Sequence, residues 1–257
     1  MTEMGERQHL RTRRKVILAL PAYNEEPNLP VLLEAVRDAL EPHSVPYEVV
    51  VVDDGSTDAT ADIARRYAEE MPLVLVQHEK NQGLGATLRD GLKAAVARAS
   101  ERDVVVTMDA DATHPPGLIL RMLQLIEEGF DVVIASRFQP GARVLGVSAM
   151  RRLMTRIASL LLRTLFPMGV RDFTCGYRAY RATALTAAFH RYGDAFIDQA
   201  GFQCMLDVLL KLRRFDLVMG EVPMVLRYDR KGGASKMKVW RTAWASLRLI
   251  LRRRLEG

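Results

Sequence analysis

"DVVVTMDADATHPPG", residues 103–117, is the stretch on which the fold turns. Val104, Val105, Val106 and Thr107 make a short β-branched run, the composition of a strand buried on both faces. The run leads into two carboxylates one residue apart, Asp109 and Asp111, and then into Pro115 and Pro116, which bar it from continuing as a strand. A buried strand that stops in acids suits an open parallel sheet, where ligands bind outside the carboxyl ends of the strands.

Reading outward, the same unit recurs. "KVILAL" (15–20), "YEVVVVDD" (47–54), "LVLVQHE" (73–79) and "DVVIAS" (131–136) are further apolar runs, each followed by a polar cluster. Amphipathic stretches separate them. In "NLPVLLEAVRDALE", Leu32, Leu33, Val36 and Leu40 fall at helical spacing, and "DATADIARRYAEE" opens on an Asp or Thr suited to cap a helix. "GATLRDGLKAAVARA" and "GLILRMLQLIEEG" complete the alternation. The pattern predicts an α/β fold: a mostly parallel central sheet with helices on both faces. The second half has no repeat and no long linker. It reads as an elaboration of the same domain: a helix, a β-hairpin around "DFTCGYRAY", more helix, and "FDLVMGEVPMVLRY" as paired strands.

A chain of 257 residues suits one large domain, and 49% hydrophobic with 26% charged residues excludes disorder. Two distant cysteines, Cys175 and Cys204, exclude a disulfide scaffold and a zinc site and favour a reducing compartment. The net charge of +6 concentrates in the N-terminal "RQHLRTRRK", in "RRLMTRIASLLLR" and in the C-terminal "LRLILRRRLEG". Such clustering points to a phosphorylated substrate or a membrane face. Aromatics are sparse and no nucleic-acid motif is visible, so nucleic acid is not an expected partner. The polar N-terminus carries no secretory signal. The most apolar long stretch, residues 146–170, is interrupted by Arg151, Arg152, Arg156 and Arg163 and is not expected to span a bilayer.

The polar clusters carry the chemistry. In extended backbone Asp109 and Asp111 face the same side, and two like charges that close persist when a hard divalent cation lies between them. Such a cation bridges to a diphosphate. Asp53 and Asp54 end the second run, where an acid accepts hydrogen bonds from a nucleobase, whereas Ser56, Thr57 and Asp58 read as turn and helix cap. "PAYNEE" offers Pro21 to fix a turn, Tyr23 as a surface for a base and Glu25 as an acceptor. Gly83 and Gly85 precede a helix whose amides face an anion. His114, before two prolines, reads as structural.

"PAYNEE", "VVDDGSTD", "NQGLGA", "DADATHPP", "SRF", "DFTCGYRAYR" and "RKGGASKM", in this order, resemble family 2 glycosyltransferases of the GT-A fold, and within them the dolichol- or polyprenol-phosphate mannose synthase branch. The resemblance covers roughly residues 16–237. It implies a nucleotide-sugar donor, GDP-mannose or UDP-glucose, with Pro21, Tyr23, Glu25, Asp53, Asp54 and Gly83 around the nucleoside. It implies Mg²⁺ or Mn²⁺ on Asp109, Asp111 and Thr113. It also implies a polyprenyl-phosphate acceptor held by Arg137, Arg151, Arg152, Thr155, Arg230 and Ser235, with Lys236 on the departing diphosphate. Two positions depart from the pattern: Thr113 stands where relatives carry Gln, and Met205 where they carry Glu, with Asp198 or Asp207 as substitute acids.

A phosphate acceptor is already ionised, so inverting transfer to it needs alignment and charge control rather than a base. The alternatives are a family 2 transferase acting on a soluble hydroxyl, which needs a carboxylate base, and a nucleotide-sugar-binding protein without turnover. The organisation that follows is a basic tail (1–14), one catalytic domain (15–237) and a basic amphipathic C-terminal helix (238–257) with Trp240 and Trp244 one turn apart. Met150, Leu153, Met154, Ile157 and Leu161 make residues 147–166 a second amphipathic helix. Both are expected to lie on the cytoplasmic face of a membrane, alone or with a separate membrane subunit.

Overall fold

The computed structural model describes residues 14–228, with 246, 248–250 and 252–254. The valine-rich runs become strands whose side chains are almost wholly buried: β1 (Val16–Ala22), β2 (Tyr47–Asp53), β4 (Val104–Thr107) and β5 (Val132–Ser136). With β3 (Leu73–Gln77), β7 (Arg178–Arg181) and β8 (Met219–Pro223) they form a seven-stranded sheet in the order β3-β2-β1-β4-β7-β5-β8. All pairings are parallel except those of β7, which runs antiparallel between β4 and β5. The predicted α/β class is observed.

Helices α1 (Leu29–Leu40), α2 (Thr60–Tyr67), α3 (Leu84–Val96) and α4 (Leu118–Glu127) connect the strands of the first half. α1 buries Leu32, Leu33, Val36 and Leu40, the residues whose spacing marked it. α3 lies on β1 and β2. It comes so close that a Cβ on Gly91 would stand 3.1 Å from Val52 Cγ2. The second half adds β6 (Arg143–Leu145), α5 (Ala149–Leu165), α6 (Ala182–Tyr192), α7 (Cys204–Leu212) and β9 (Val225–Arg227).

Two expectations about strand pairing are corrected. The hairpin around "DFTCGYRAY" does not form: residues 172–177 are loop, and Arg178–Arg181 enters the main sheet as β7. The strands of "FDLVMGEVPMVLRY" do not pair with each other either. β8 joins β5, and β9 pairs in parallel with β6 as a separate two-stranded ribbon. Apolar runs mark strands but not partners, and β7 is buried enough to be drawn between β4 and β5. The described residues near the C-terminus are helical, and Leu249 and Ile250 are buried. That portion packs on the core instead of presenting those side chains to a membrane.

Candidate active site

The loops after β1, β2, β3 and β4 meet at the carboxyl edge of the sheet, as parallel pairing requires. After β1 the chain turns through Asn24, whose φ of 50° is left-handed. Asn24 and Glu25 are tied to the loop after β2: Ser56 Oγ accepts from Asn24 N–H (2.9 Å), Thr60 Oγ1 from Glu25 N–H (2.8 Å), and Asn24 Oδ1 from Thr57 N–H (2.8 Å). The buried Glu25 carboxylate accepts from Asn28 Nδ2 (2.7 Å). Ser56, Thr57 and Asp58 are therefore scaffold for this corner; Asp58 accepts from Thr60 N–H (3.0 Å), but the N-cap position of α2 is Ala59, with no side-chain cap.

Asp53 and Asp54 differ in what their carboxylates do. Asp54 is filled from within: Oδ1 accepts from Gln82 N–H (2.8 Å) and stands 2.8 Å from His78 Nδ1, and Oδ2 accepts from Gly83 N–H (2.9 Å). The anion at the start of α3 is thus the protein's own carboxylate, and Asp54 and Gly83 shape this corner. Gly83, with φ 90°, takes a conformation that side chains resist. Asp53 is wholly buried; Oδ1 accepts from Ser56, and Oδ2 has no hydrogen-bond partner. A buried carboxylate oxygen without a donor is costly, so Asp53 is the acid at this edge still able to receive a ligand's N–H.

The metal candidates sit in the turn after β4. Asp111 is buried and Asp109 partly so. Thr113 donates both its N–H (3.1 Å) and its hydroxyl (2.6 Å) to Asp111 Oδ1, across Ala112, whose φ is 56°. The hydroxyl expected on a metal thus first orients a carboxylate. Behind the turn, His114 Nδ1 accepts from Asp109 N–H (3.3 Å) and its ring stacks on Tyr177 at 5.2 Å. His114 is structural, as read. Among the described residues no group of three His, Cys, Asp or Glu side chains is placed to hold a metal. Two hard carboxylates still fit Mg²⁺ or Mn²⁺, which fill an octahedron with phosphate oxygens and water.

Arg137, after β5, is clamped by Asp172: Nε to Oδ2 (2.8 Å) and Nη2 to Oδ1 (2.7 Å), with a further bond to Thr174 Oγ1 (2.6 Å). Burial works against the guanidinium charge, and the Asp172 carboxylate outweighs it, so the Arg137 pKa is raised and that of Asp172 held below its usual range. Arg152 and Thr155 are exposed on α5, where Thr155 donates to the Arg152 carbonyl of its own helix. Arg230, Ser235 and Lys236 lie outside the described residues, as do Trp240, Trp244 and the Arg151 side chain.

Met205 and Asp109 both border Gly176, where a Cβ would meet Met205 Cε at 3.0 Å and Asp109 Oδ1 at 3.4 Å. Neither substitute acid is available as a base. Asp198 pairs with Lys211 (3.2 Å), and despite burial its hydrogen bonds and that charge bring its pKa down to about 2. Asp207 is wholly buried between Lys211 (2.7 Å) and Arg253 (2.7 Å). Sequence reasoning passed over His78 and Asp172. Each supports a neighbour the motifs did name, and the signal available was a titratable residue at or beside the carboxyl edge.

The sequence profile described as glycosyl transferase family 2 matches residues 18–189. An undecaprenyl-phosphate mannosyltransferase from Micrococcus luteus is 36% identical over 87% of this chain and 87% of its own length. A polyprenol monophosphomannose synthase from Mycolicibacterium smegmatis is 32% identical over 92% and 89%. A glucosyl-3-phosphoglycerate synthase from Mycobacterium tuberculosis, solved with Mn²⁺, UDP and phosphoglyceric acid, shares the fold with a TM-score of 0.64 at 21% identity, over 99% of this chain and 83% of that one.

Proposed function

The chain belongs to glycosyl transferase family 2, and from that premise we propose that it transfers mannose from GDP-mannose to the phosphate of a polyprenyl phosphate. The relatives named above support the sugar and the acceptor. One observation carries the choice of a phosphate over a hydroxyl: Asp198 and Asp207, the acids that could stand in for the missing Glu, are both paired with Lys211, while Asp172 holds the Arg137 guanidinium in place after β5. A hydroxyl acceptor needs a base; a phosphate needs a positive partner.

In this reading Asp53 Oδ2 receives an N–H of the base, and Tyr23 and Glu25 flank the nucleoside. Asp109 and Asp111, the latter oriented by Thr113, hold a divalent cation. When bound, the cation neutralises charge on the departing diphosphate. Arg137, with Arg151, Arg152 and Thr155, aligns the lipid phosphate, and Arg230, Ser235 and Lys236 are assigned to the phosphates. An acceptor oxygen bonds to the anomeric carbon, the bond to the diphosphate breaks, and configuration inverts. The chain lies on the cytoplasmic face of the membrane through α5, whose outer stripe exposes Met150, Leu153, Met154, Ile157 and Leu161. Among the described residues no helix is long and apolar enough to cross a membrane.

The test is transfer from labelled GDP-mannose into butanol-extractable lipid, with and without Mn²⁺. Lipid-bound mannose that requires the ion and disappears in Asp111→Asn is the expected result. A water-soluble labelled product, or an unaffected Asp111→Asn enzyme, contradicts the reading.

A further inference from the structure

Arg137 lines a cavity of about 290 Å³ together with three more arginines, Arg156, Arg163 and Arg171. Arg137 is already ion-paired with Asp172 (2.7 Å). The other three guanidinium groups make no hydrogen bond or ion pair among the described residues. Three uncompensated cations around one hollow repel each other, and an anion between them removes the repulsion.

The hollow is built, not incidental. Arg156 and Arg163 are seven residues apart on α5, which brings them to one face after about two turns. Ser159 lies between them and donates its hydroxyl to the Arg171 carbonyl (2.6 Å), fastening α5 to the segment that bears the third arginine. The Arg171 N–H is held in turn by Glu221 Oε1 (2.8 Å). The two segments that bear the arginines are thus held together, and guanidinium forks match the oxygens of a phosphate. Neither Arg152 nor Thr155 lines the cavity. Leu160 does, and it is also 60% exposed on the outward apolar stripe of α5. An anion in the cavity can therefore be tethered to an apolar chain lying along that stripe.

We propose that this cavity is a headgroup site for a lipid-borne phosphate, with Arg156, Arg163 and Arg171 as its contacts. The group is supplied either by the polyprenyl phosphate or by an anionic phospholipid of the membrane. The inference goes beyond the transfer reaction, and its test uses no sugar donor. Calorimetric titration of the intact chain takes three probes: a short-chain isoprenyl phosphate and a short-chain phosphatidylglycerol, both below micelle formation, and inorganic phosphate at matched ionic strength. At least one lipid probe is expected to bind with one-to-one stoichiometry. Arg156→Gln/Arg163→Gln, and separately Arg171→Gln on its own segment, should each weaken that binding at least about tenfold. Circular dichroism melts confirm that these variants stay folded. Weakening with the isoprenyl probe alone identifies the acceptor lipid; weakening with both identifies any lipid phosphate. The site is overturned if neither lipid binds, if both variants bind as the wild type does, or if inorganic phosphate binds as tightly as the lipids. A chain that binds lipid phosphate here but transfers no mannose defeats the proposed function and leaves the site standing; mannose transfer with an unchanged titration does the reverse.

Discussion

Asp53 Oδ2 is a buried acceptor with no donor among the described residues, and in the proposed reading a donor nucleobase supplies one. Asp53→Asn keeps the shape and replaces an acceptor-only carboxylate with an amide. Loss of a hydrogen bond to a charged group costs about 1.5–3 kcal/mol, so the donor KM should rise about 10–100-fold with kcat little changed; an unchanged KM removes the nucleoside from this corner. The adjacent Asp54 predicts the opposite split, because its oxygens already serve Gln82, Gly83 and His78. No property of the string "VVDDGSTD" distinguishes these two acids. Which one turns inward is decided by where α3 begins, which is tertiary information. Asp172 was passed over for a related reason: its role is to hold Arg137, and the motif names only the arginine. Asp172→Asn leaves that partly buried guanidinium without its counter-charge, at a cost of up to about 3 kcal/mol. The depressed carboxyl pKa of Asp172 sets the pH dependence. Its contribution is complete above the unfolded carboxylate value near 4 and is lost as pH falls through the lower folded value. Acid titration of the thermal midpoint should therefore show a shallower acid limb in Asp172→Asn than in the wild type, and parallel limbs would count against the pair.

At the scale of elements, the β-branched runs were readable because a strand covered on both faces leaves a continuous apolar signature. Partnership was not readable. β7 carries "RAYR", and its Arg178 is wholly buried, donating to the carbonyls of Met205 and Phe173 (both 2.8 Å). A charged residue at the centre of a sheet gives no periodicity cue, so the segment read as half of a local hairpin. Helix α5 shows the reverse case, in which the pattern was legible and the structure leaves its outer stripe uncovered. Leu153 and Ile157 are 54% and 59% exposed and one turn apart. Each such side chain contributes about 1.5–3 kcal/mol when it leaves water. Leu153→Gln/Ile157→Gln should thus reduce partition onto phospholipid vesicles by about 100-fold or more in co-sedimentation, with the thermal midpoint unchanged. Undiminished vesicle binding would mean that this stripe does not meet the membrane.

For the whole molecule, one sheet draws on both halves of the chain: β4, β7, β5 and β8 together take residues from 104 to 223. β7 is the stitch, since it hydrogen-bonds to β4 on one side and β5 on the other and cannot leave without opening both. The early strands and the later elaboration are therefore expected to unfold as one cooperative unit, and the two cysteines report on it. Cys175 lies in the loop beneath Arg137, where its N–H donates to Asp172 Oδ1 (3.0 Å), and Cys204 begins α7. Burial pushes both thiols up to about 12. The thiolate is the reactive form, so both thiols stay largely protonated at pH 8, and neither buried sulfur is open to reagent. In native buffer iodoacetamide should leave both unmodified. Through a urea titration they should become labelled together, at the midpoint seen by circular dichroism, because exposing either requires the shared sheet to open. Labelling of Cys204 at a lower urea concentration than Cys175 would show that α7 opens independently, and the stitch formed by β7 would then not couple the two halves.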